Sequence, residues 1–295
     1  MLVPVRLPTY HAGTMGKDDL MAYFTGKRAA VTGAGSGMGR ALAQQLNAAG
    51  CAVWLSDVHE AGLEETVKSL DPNRAAIHHR LVDVADRKSV EAWAAEVAET
   101  APSLELLVNN AGVGFSGLVR DTDYSDLHWV MNIDFWGVVH GSKAFLPLLE
   151  KAERSHLMNT SSVFGMISVP TQAAYNAAKF AVRGFTEALR QELDLANSPV
   201  QVCCIHPGGI GTNIARSARS IQPGDSADAR DEMFQRYVKT TADEAARQIL
   251  AAAESGQRRL LIGSDAKMLS WITRIFPTSY HRFFQRHTKD FMPDG

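Results

Sequence analysis

The sequence predicts an α/β protein built on a doubly wound parallel sheet, as a single domain with about seven strands. Short apolar runs alternate with helical patterns from Lys27 onward, and strands that alternate with helices form a parallel sheet covered on both faces. A glycine-rich turn joins the first run to the first helix, which is typical of such sheets. No linker or internal repeat divides the 295 residues, so one domain accounts for the pattern.

The strands are predicted at the apolar runs, and the helices where apolar residues recur at helical spacing. The seven predicted strands cover residues 28–32, 51–56, 75–82, 104–109, 156–160, 200–206 and 259–263. Helix 89–99 repeats Val90, Trp93 and Val97 on one face, and helix 173–197 repeats its apolar residues in the same way. Both helices therefore have an apolar side that can cover the sheet.

The sheet pattern occupies residues 26–265 and leaves a segment at each end. Residues 1–25 contain Pro4 and Pro8 and show little periodicity, so we predict a loose N-terminal extension. Residues 266–295 are predicted to form an amphipathic C-terminal tail.

Composition narrows the class of protein. The 30 Lys and Arg residues against 32 Asp and Glu residues give a net charge of −2, so we expect no nucleic-acid partner. Cys51, Cys203 and Cys204 have neither zinc-site nor disulfide spacing, which predicts no metal and a reducing, cytoplasmic location. No apolar stretch of the sequence is long enough to span a bilayer.

The first predicted strand runs into the sequence Thr-Gly-Ala-Gly-Ser-Gly-Met-Gly at residues 32–39. Glycines let a backbone turn tightly and approach a pyrophosphate, whose charge is held by amides of the following helix. The generic G-x-G-x-x-G pattern does not match, because the spacing is T-G-x-x-x-G-x-G. Either the turn binds a dinucleotide or its glycines serve tight packing. In the first case the contacts come from Gly33, Ser36, Gly37, Met38 and Gly39.

This turn resembles the nucleotide-binding turn of the short-chain dehydrogenase/reductase family in its single-domain form. The family's other motifs occur in order: Asn109-Asn110-Ala111-Gly112 after the fourth strand, Asn132, Ser162, Tyr175 with Lys179, and Pro207-Gly208 after the sixth strand. Ser162 rather than Ser161 takes the catalytic position, because it stands thirteen residues before Tyr175. The resemblance covers residues 27–263 and implies a Rossmann fold that binds a nicotinamide dinucleotide.

Tyr175 and Lys179 stand four residues apart on one predicted helix, so their side chains project from the same face. A tyrosine has a pKa near 10, and a neighbouring ammonium favours the phenolate; a pKa shift of about three units corresponds to about 4 kcal/mol. Tyr175 is therefore a candidate acid or base near neutral pH. The alternative is a buried tyrosine packed beside a surface lysine, which an isolated Y-x-x-x-K would indicate.

The resemblance implies the remaining catalytic roles. Ser162 would bind the reacting oxygen, unless its hydroxyl only satisfies a backbone group at the strand end. Asn132 would orient Lys179 through a water molecule in a proton relay, unless it makes a local bond within its helix. The four catalytic residues implied are Asn132, Ser162, Tyr175 and Lys179.

The second predicted strand is followed by Asp57, and a carboxylate there can accept both adenosine-ribose hydroxyls and repel a 2′-phosphate. NAD is therefore predicted over NADP. Ser36 and Val58 agree with this, because the family's NADP-preferring members often carry basic residues at these two positions. Asp57 could instead only cap the following helix, whose first turn contains Glu60.

By the same resemblance, further residues contact the cofactor. Asp83 would contact the adenine amino group, while Ile210 and Thr212 would hold the nicotinamide carboxamide. The implied set also includes Val84, Asn110, Ala111, Gly112, Tyr175, Lys179, Pro207 and Gly208. His206 is predicted to be packed or hydrogen-bonded rather than to carry a proton.

Together these residues predict an NAD-dependent oxidoreductase that interconverts a secondary alcohol and a ketone. The alternatives are an NADP-preferring carbonyl reductase, a dehydratase or epimerase, and a dinucleotide-binding protein without turnover. The polar segment 215–232 matches the family's mobile substrate lid in position. The residues expected at the pocket mouth are apolar and predict a hydrophobic substrate: Val113, Gly114, Phe115, Val163, Phe164, Met166, Ile167 and Val169.

The tail has two apolar helical stripes separated by Pro277. The stripes are Trp271, Ile272, Ile275 and Phe276, then Tyr280, Phe283 and Phe284. Between residues 266 and 290, five basic residues against Asp290 give a local charge of +4. We predict that the tail packs on a neighbouring subunit of a homodimer or homotetramer; an anionic membrane surface and the tail's own subunit are the alternatives.

Overall fold

The computed structural model describes residues 22–221 and 226–283, and its centre is a sheet of seven parallel strands. The strands are β1 (Arg28–Thr32), β2 (Ala52–Asp57), β3 (Ile77–Leu81), β4 (Leu106–Asn109), β5 (Ser155–Thr160), β6 (Val200–Pro207) and β7 (Arg259–Ile262). Their order across the sheet is β7-β6-β5-β4-β1-β2-β3, and every neighbouring pair is parallel. The predicted doubly wound sheet is confirmed.

Helices cover both faces of the sheet. They are α1 (Gly37–Ala48), α2 (Glu60–Lys68), α3 (Arg87–Thr100), α4 (Tyr124–Met131), α5 (Gly137–Leu149), α6 (Ala173–Leu195), α7 (Ala227–Gln235), α8 (Ala242–Glu254) and α9 (Ser264–Ile275). Successive residues of a strand point to opposite faces. In β4, Leu106 and Val108 join the core under α1 and α8, whereas Leu107 joins the core under α3 and α5. Two apolar cores therefore hold the helices on the sheet.

The strand order reverses at β1, which lies between β2 and β4. Connections on the two sides of this point leave in opposite directions, so a crevice opens at the carboxyl ends of the strands. The strands beside the crevice end at Thr32, Asn109 and Thr160, and the predicted polar motifs follow directly. The fold thus gathers these motifs at one edge of the sheet.

Several element boundaries differ slightly from the predicted ones. β4 begins at Leu106, two residues later than predicted. α3 begins at Arg87, two residues earlier, because Asp86 caps this helix by accepting a hydrogen bond from the Lys88 amide. The number and order of the strands are unaffected.

The chain directly before β1 belongs to the core, which corrects the predicted domain boundary at residue 26. Phe24 is buried in the core that contains α1. The Tyr23 hydroxyl lies 2.8 Å from His156 Nε2 on β5. Burying an aromatic ring removes a large apolar area from water, so the domain includes the described residues from 22 onward. Residues 1–21, the rest of the predicted extension, lie outside the described part of the chain.

The described end of the chain, residues 264–283, folds onto its own subunit. Leu269 of α9 packs beside the turn that follows β5. The Tyr280 hydroxyl accepts a hydrogen bond from the Ser168 amide at 2.9 Å. Residues 284–295, which hold the end of the second predicted stripe and two of its basic residues, lie outside the described residues. Within the described ranges, no helix is long and apolar enough to cross a membrane.

Candidate active site

The glycine turn between β1 and α1 is closed by backbone contacts that leave no room for side chains. Gly33 and Gly37 have positive φ angles of 67° and 50°, which favour glycine. A Cβ on Gly39 would lie 2.7 Å from the Gly33 carbonyl carbon, and one on Gly33 would lie 2.8 Å from Ala111 Cα. The turn therefore requires glycine at all three positions.

The start of α1 has the features of an anion-binding site. Ser36 is the N-cap residue, but its side chain makes no capping hydrogen bond, and the first turn contains no acidic residue. Amides in the first turn of a helix, here those of Gly37, Met38 and Gly39, have no acceptor inside the helix. Such amides at the positive end of a helix bind phosphate groups, so this geometry suits a pyrophosphate.

The segment after β4 supports the glycine turn from the side. The Thr32 hydroxyl accepts hydrogen bonds from the amides of Asn110 and Ala111, at 2.9 and 3.0 Å. The Asn110 side chain donates back to the Thr32 carbonyl at 3.1 Å. The chain then passes close to the lysine of α6, because a Cβ on Gly112 would lie 3.2 Å from Lys179 Nζ. The Asn-Asn-Ala-Gly segment thus links the two halves of the crevice.

Asp57 braces the same turn from the end of β2. One carboxylate oxygen accepts a hydrogen bond from the Gly35 amide at 2.8 Å, and the other accepts one from the His59 amide at 2.9 Å. The N-cap residue of α2 is His59, so Asp57 does not occupy the capping position itself. Each carboxylate oxygen has a further lone pair, which leaves Asp57 able to accept ribose hydroxyls.

Asp83 and Val84 lie beyond β3, next to the end of β2. Asp83 is exposed and accepts a hydrogen bond from the Ala85 amide at 2.9 Å. Val84 is buried, and its carbonyl oxygen lies 3.0 Å from His140 Nδ1. Asp83 therefore presents its carboxylate at the same sheet edge as Asp57.

Ser162, Tyr175 and Lys179 meet at the carboxyl end of β5. Lys179 lies one turn after Tyr175 on α6, with its Nζ 5.4 Å from the Tyr175 ring centroid. The Ser162 side chain lies near the Tyr175 phenol and lowers its pKa, and the Ser162 hydroxyl accepts a hydrogen bond from the Phe164 amide at 3.1 Å. Lys179 Nζ donates to the Thr160 carbonyl at 3.4 Å. The structure brings these three predicted residues together.

A buried aspartate that the sequence analysis did not single out joins this group. Asp134 is fully buried, and its Oδ2 lies 3.3 Å from Lys179 Nζ. Asn132 is exposed instead, and its carbonyl accepts a hydrogen bond from the Gly137 amide across the π-helical turn Asn132–Trp136. The predicted role of Asn132 toward Lys179 is therefore corrected: the residue that contacts Lys179 is Asp134.

The π-helical turn gives the physical reason for this correction. It adds one residue to the helical repeat between α4 and α5, and Asp134 rather than Asn132 then faces α6. In the sequence, Asp134 stands inside the apolar run Ile-Asp-Phe-Trp-Gly-Val-Val at residues 133–139. An acidic residue within an apolar run indicates a buried and paired carboxylate. The sequence therefore contained a pattern from which Asp134 could have been identified.

Burial has the largest effect on the acidity of Tyr175. Desolvation raises the pKa of the phenol, the Lys179 ammonium lowers it, Asp134 raises it, and the hydrogen bond with Ser162 lowers it. The net shift of the pKa is upward, which corrects the predicted shift toward the phenolate. Tyr175 is partly exposed. Because its pKa is raised, the phenol at the crevice is protonated at neutral pH.

The segment after β6 forms the other side of the crevice. Ile210 is buried in a two-residue strand, and a Cβ on Gly37 would lie 3.0 Å from Thr212 Cγ2. Asp265 of α9 accepts a hydrogen bond from the Gly209 amide at 2.8 Å. The structure therefore places this segment against the glycine turn, and Asp265, a residue absent from the predicted site, anchors it.

His206 packs against the catalytic group without titrating near neutral pH. It is buried, and its Nδ1 lies 2.9 Å from the Ser162 carbonyl oxygen. Burial lowers the pKa of His206 to about 4, so the neutral ring holds the Ser162 backbone. Pro207 then ends β6, and the Gly208 amide donates to the Ile262 carbonyl at 2.9 Å.

Acid is expected to destabilise the protein through His206. Its pKa is about 4 in the folded state and near 6.5 in an unfolded chain, so the unfolded chain takes up the proton first. The stabilising contribution is complete above pH 6.5 and declines as the pH falls toward 4, by about 2 kcal/mol at pH 5. In urea unfolding, the stability difference between wild type and His206→Gln should shrink from pH 7 to pH 5. An equal difference at both pH values would contradict the buried neutral ring.

Apolar side chains surround the approach to Tyr175. The Phe164 ring stands edge-on to the Tyr175 ring, with centroids 6.1 Å apart, and is partly exposed. Val163 and Met166 pack in the same buried cluster as Phe164. Phe115 and Ile167, also predicted at the pocket mouth, are buried. The surroundings of the phenol are thus more suited to an apolar substrate than to a charged one.

The predicted lid, residues 215–232, contacts this apolar wall. Arg219–Ser220 pairs in parallel with Phe115–Ser116. The arginine of this pair forms an ion pair with Asp126 of α4 at 2.6 Å. Residues 222–225 of the lid lie outside the described residues.

Comparison with known proteins settles the family. Residues 27–223 match the family model described as short chain dehydrogenase, and this range contains the glycine turn, Ser162, Tyr175 and Lys179. The chain belongs to the short-chain dehydrogenase/reductase family. It is therefore an oxidoreductase with a Rossmann fold, which acts on the CH–OH group of its donor with NAD or NADP as acceptor.

Relatives match most of the chain. SadH of Mycobacterium tuberculosis is 43% identical over 274 residues, which cover 92% of this chain and 99% of SadH. Dehydrogenase/reductase SDR family member 7B of Xenopus tropicalis is 31% identical over 277 residues, covering 91% of this chain and 87% of the relative.

Solved structures agree with the fold. A short chain dehydrogenase/reductase from Burkholderia phymatum in complex with NAD has a TM-score of 0.79 at 32% identity, over 85% of this chain and 94% of that chain. Levodione reductase has a TM-score of 0.72 at 27% identity, over 83% of this chain and 99% of that chain.

Proposed function

We propose that this protein is an NAD-dependent oxidoreductase that interconverts a hydrophobic secondary alcohol and its ketone. The observation that carries the proposal is the convergence of Ser162, Tyr175 and Lys179 beside the glycine turn. A dinucleotide cradle and a proton-transferring group lie at the same sheet edge, which is the arrangement that hydride transfer requires.

Each of the three side chains has a distinct task in this reaction. A bound nicotinamide supplies or accepts the hydride. Tyr175 gives its proton to the carbonyl oxygen during reduction and removes the alcohol proton during oxidation. Ser162, whose side chain lies near the Tyr175 phenol, hydrogen-bonds the same oxygen and stabilises its developing charge. The Lys179 ammonium stabilises the phenolate that remains after reduction.

The cradle and Asp57 support NAD as the cofactor. Cβ atoms would fill the space at Gly33 and Gly39, and the first amides of α1 suit a pyrophosphate. Asp57 adds a half-buried negative charge at the end of β2, where it would repel a 2′-phosphate. The Burkholderia phymatum relative is in complex with NAD. The other cofactor contacts proposed are Asp83, Val84, Asn110, Ala111, Gly112, Pro207, Gly208, Ile210 and Thr212.

Replacing Asp57 by Asn is expected to weaken the preference for NAD over NADP. Asn keeps the size of the side chain but removes its charge, so the ratio of kcat/KM values for NAD and NADP should fall at least about tenfold, or about 1.4 kcal/mol. Glu60→Gln removes an exposed charge from the first turn of α2 and should leave the ratio unchanged. A ratio that Asp57→Asn did not alter would mean that Asp57 only braces the glycine turn.

A substrate screen tests the proposed activity. Purified protein is incubated with NAD or NADP and secondary alcohols that range from small polar to aromatic and alicyclic compounds, and the reduced nicotinamide is measured by its absorbance. NADH should form fastest with the large apolar alcohols, because Phe164 and its neighbours line the approach to Tyr175. Turnover with NADP alone would favour a carbonyl reductase. Nucleotide binding without any turnover would favour a non-catalytic dinucleotide-binding protein.

We propose a cytoplasmic location. Cys51, Cys203 and Cys204 are free and buried, and burial raises the pKa of the Cys204 thiol to about 12. Three cysteines without a disulfide suit a reducing compartment, where disulfides are rare.

We also propose that the protein is a homo-oligomer that uses the outer side of the tail. This outer side is defined by its exposed apolar residues: Met268, Trp271, Ile275, Phe276 and Phe283. Aromatic and Met side chains are enriched at the centre of subunit interfaces. A second copy of the chain is therefore the proposed partner of this surface.

The double substitution Trp271→Ser and Ile275→Ser is expected to lower the molar mass measured by light scattering. It removes two large apolar side chains from the outer side of the tail, which weakens a contact between copies. Leu195→Ser, at an exposed leucine at the end of α6, is the matched control and should keep the wild-type mass. The opposite result is a double variant that keeps the wild-type mass and loses a sedimentation with anionic vesicles that the wild type shows. That result would assign this surface to a membrane contact and not to a subunit contact.

A further inference from the structure

We propose that Asp134 is a positioning residue: its carboxylate holds Lys179 beside Tyr175 and cancels part of the lysine charge, so that Tyr175 acts as a proton donor at neutral pH and as a base only at higher pH. The inference rests on the proposed function of Tyr175 as acid and base. One of its tests does not depend on turnover, which separates its failure from the failure of the proposed function.

Asp134 and Lys179 meet inside the protein. Asp134 Oδ2 and Lys179 Nζ are 3.3 Å apart, and the exposed fractions of the two side chains are 0% and 3%. Lys179 Nζ also lies 3.4 Å from the Thr160 carbonyl oxygen. Two acceptors thus fix the ammonium beside the Tyr175 ring, which leaves it little freedom to move.

The carboxylate is held equally well from its other side. Asp134 Oδ1 accepts a hydrogen bond from the Val113 amide at 2.7 Å. Gly112 permits this approach, because a Cβ there would lie 3.1 Å from the same oxygen. Within residues 22–221 and 226–283, Oδ2 has no hydrogen-bond partner of good geometry, so the ion pair with Lys179 is its main interaction.

The hydrogen bond from Val113 does not by itself explain why residue 134 carries a negative charge. A neutral amide of the same shape would accept that bond as well. Burying a carboxylate costs several kcal/mol, and a close, well-placed cation is required to offset the cost. The cation here is the lysine that faces the reacting phenol, so the charge of Asp134 acts on Lys179 and through it on Tyr175.

The groups that face Tyr175 and Lys179 come from several elements. Lys179 on α6 lowers the pKa of the phenol, and Asp134 on the π-helical turn raises it, both against a larger upward effect of desolvation. Ser162 after β5 carries no charge. Cys204 on β6 is close enough to Lys179 to influence its pKa, and burial raises the pKa of the Cys204 thiol to about 12, so it is neutral at pH 7. Burial raises the pKa of Asp134, the Lys179 ammonium opposes that rise, and Asp134 in turn raises the pKa of Lys179. With the proton on Lys179, Tyr175 faces an ion pair of zero net charge instead of a lone ammonium.

Asp134→Asn tests the proposal through the pH dependence of alcohol oxidation. Asn keeps the bond to Val113 and leaves the Lys179 ammonium uncompensated, which stabilises the phenolate. The pH at which kcat/KM for oxidation reaches half its plateau should therefore fall by at least about one unit, a tenfold change in proton affinity. Tyr175 stays protonated at neutral pH in both proteins, so the fraction of enzyme able to donate a proton to a ketone should change little there.

Glu105→Gln is the matched control for the loss of a paired carboxylate. Glu105 forms an ion pair with Arg28 at 2.6 Å, at the start of β1 and thus at the opposite end of the strands from Tyr175. Glu105→Gln should lower stability without moving the pH profile. An unchanged pH profile in a folded Asp134→Asn variant would overturn the proposal and leave Asp134 with a structural role.

A titration of the wild-type protein keeps the test independent of turnover and of the variant's folding. Carbon NMR of labelled tyrosine rings, with the Tyr175 signal assigned by its loss in Tyr175→Phe, should give a pKa at or above the ordinary value near 10. A wild-type pKa near 7 would overturn the proposal. If no alcohol or ketone is turned over, the proposed function fails. The effect of Asp134 then stands only if the same titration gives a lower Tyr175 pKa in Asp134→Asn, because burial alone raises the wild-type value.

Discussion

Tyr175→Phe is expected to lower kcat at least about 100-fold while NAD binding and stability stay close to wild type. Phe keeps the ring that stands edge-on to Phe164 and loses only the hydroxyl that exchanges the proton. The glycine turn and Asp57, which are proposed to hold the cofactor, are unaffected. Steady-state kinetics, titration with NAD and urea unfolding measure the three quantities.

Tyr124→Phe is the matched control for this substitution. Tyr124 lies at the start of α4 and is 81% exposed, so the same chemical change there should leave kcat unchanged. A Tyr175→Phe enzyme that retained more than about a tenth of the wild-type kcat would contradict Tyr175 as the acid and base, because loss of such a group costs at least about 100-fold.

Lys179→Met is expected to lower the free energy of unfolding by about 3 to 5 kcal/mol, besides removing activity. The substitution preserves the length of the side chain but leaves the buried carboxylate of Asp134 without its cation. An uncompensated buried charge is among the most destabilising changes known. Urea unfolding of the variant and the wild type measures the loss.

Adding Asp134→Asn to Lys179→Met is expected to restore part of this stability. The second substitution removes the unpaired carboxylate and retains an acceptor for the Val113 amide. The double variant should therefore be more stable than Lys179→Met alone, which appears as a large interaction energy in a double-mutant cycle. Strictly additive losses would contradict a strong ion pair at this position.

The parts of the fold and site that depend on local sequence could be predicted from it. The seven strands follow from apolar runs, and the glycine turn follows from the steric demands of a backbone that folds back on itself. Tyr175 and Lys179 follow from the helical repeat, which places residues four apart on one face. Ser162 follows from its spacing to Tyr175 within the family resemblance.

Asp134 and Asp265 were missed because their roles depend on contacts across the fold. Asp134 faces Lys179 only because a π-helical turn changes the register between α4 and α5, and such a turn has no simple sequence pattern. Asp265 holds the Gly209 amide from the start of a helix 56 residues later in the chain. The upward shift in the pKa of Tyr175 has the same origin, since burial is set by the whole fold.

The N-terminal boundary of the domain also depends on long-range packing. Phe24 was assigned to a loose extension, because residues 1–25 contain prolines and show little periodicity. In the structure it packs in the core beside α1. A single aromatic residue can thus extend a domain boundary without any change in local pattern.

Transfer of deuterium from the carbinol carbon of a secondary alcohol to NAD tests the proposed reaction most directly. The alcohols that the screen identifies are labelled at that carbon, and the ketone and reduced cofactor are measured by mass spectrometry. The proposed mechanism predicts ketone and singly deuterated NADH in equal amounts with the wild-type enzyme, and at least about 100-fold less of both in the same time with Tyr175→Phe. Ketone formed with its deuterium released to solvent, or equal transfer by Tyr175→Phe, would contradict hydride transfer assisted by Tyr175.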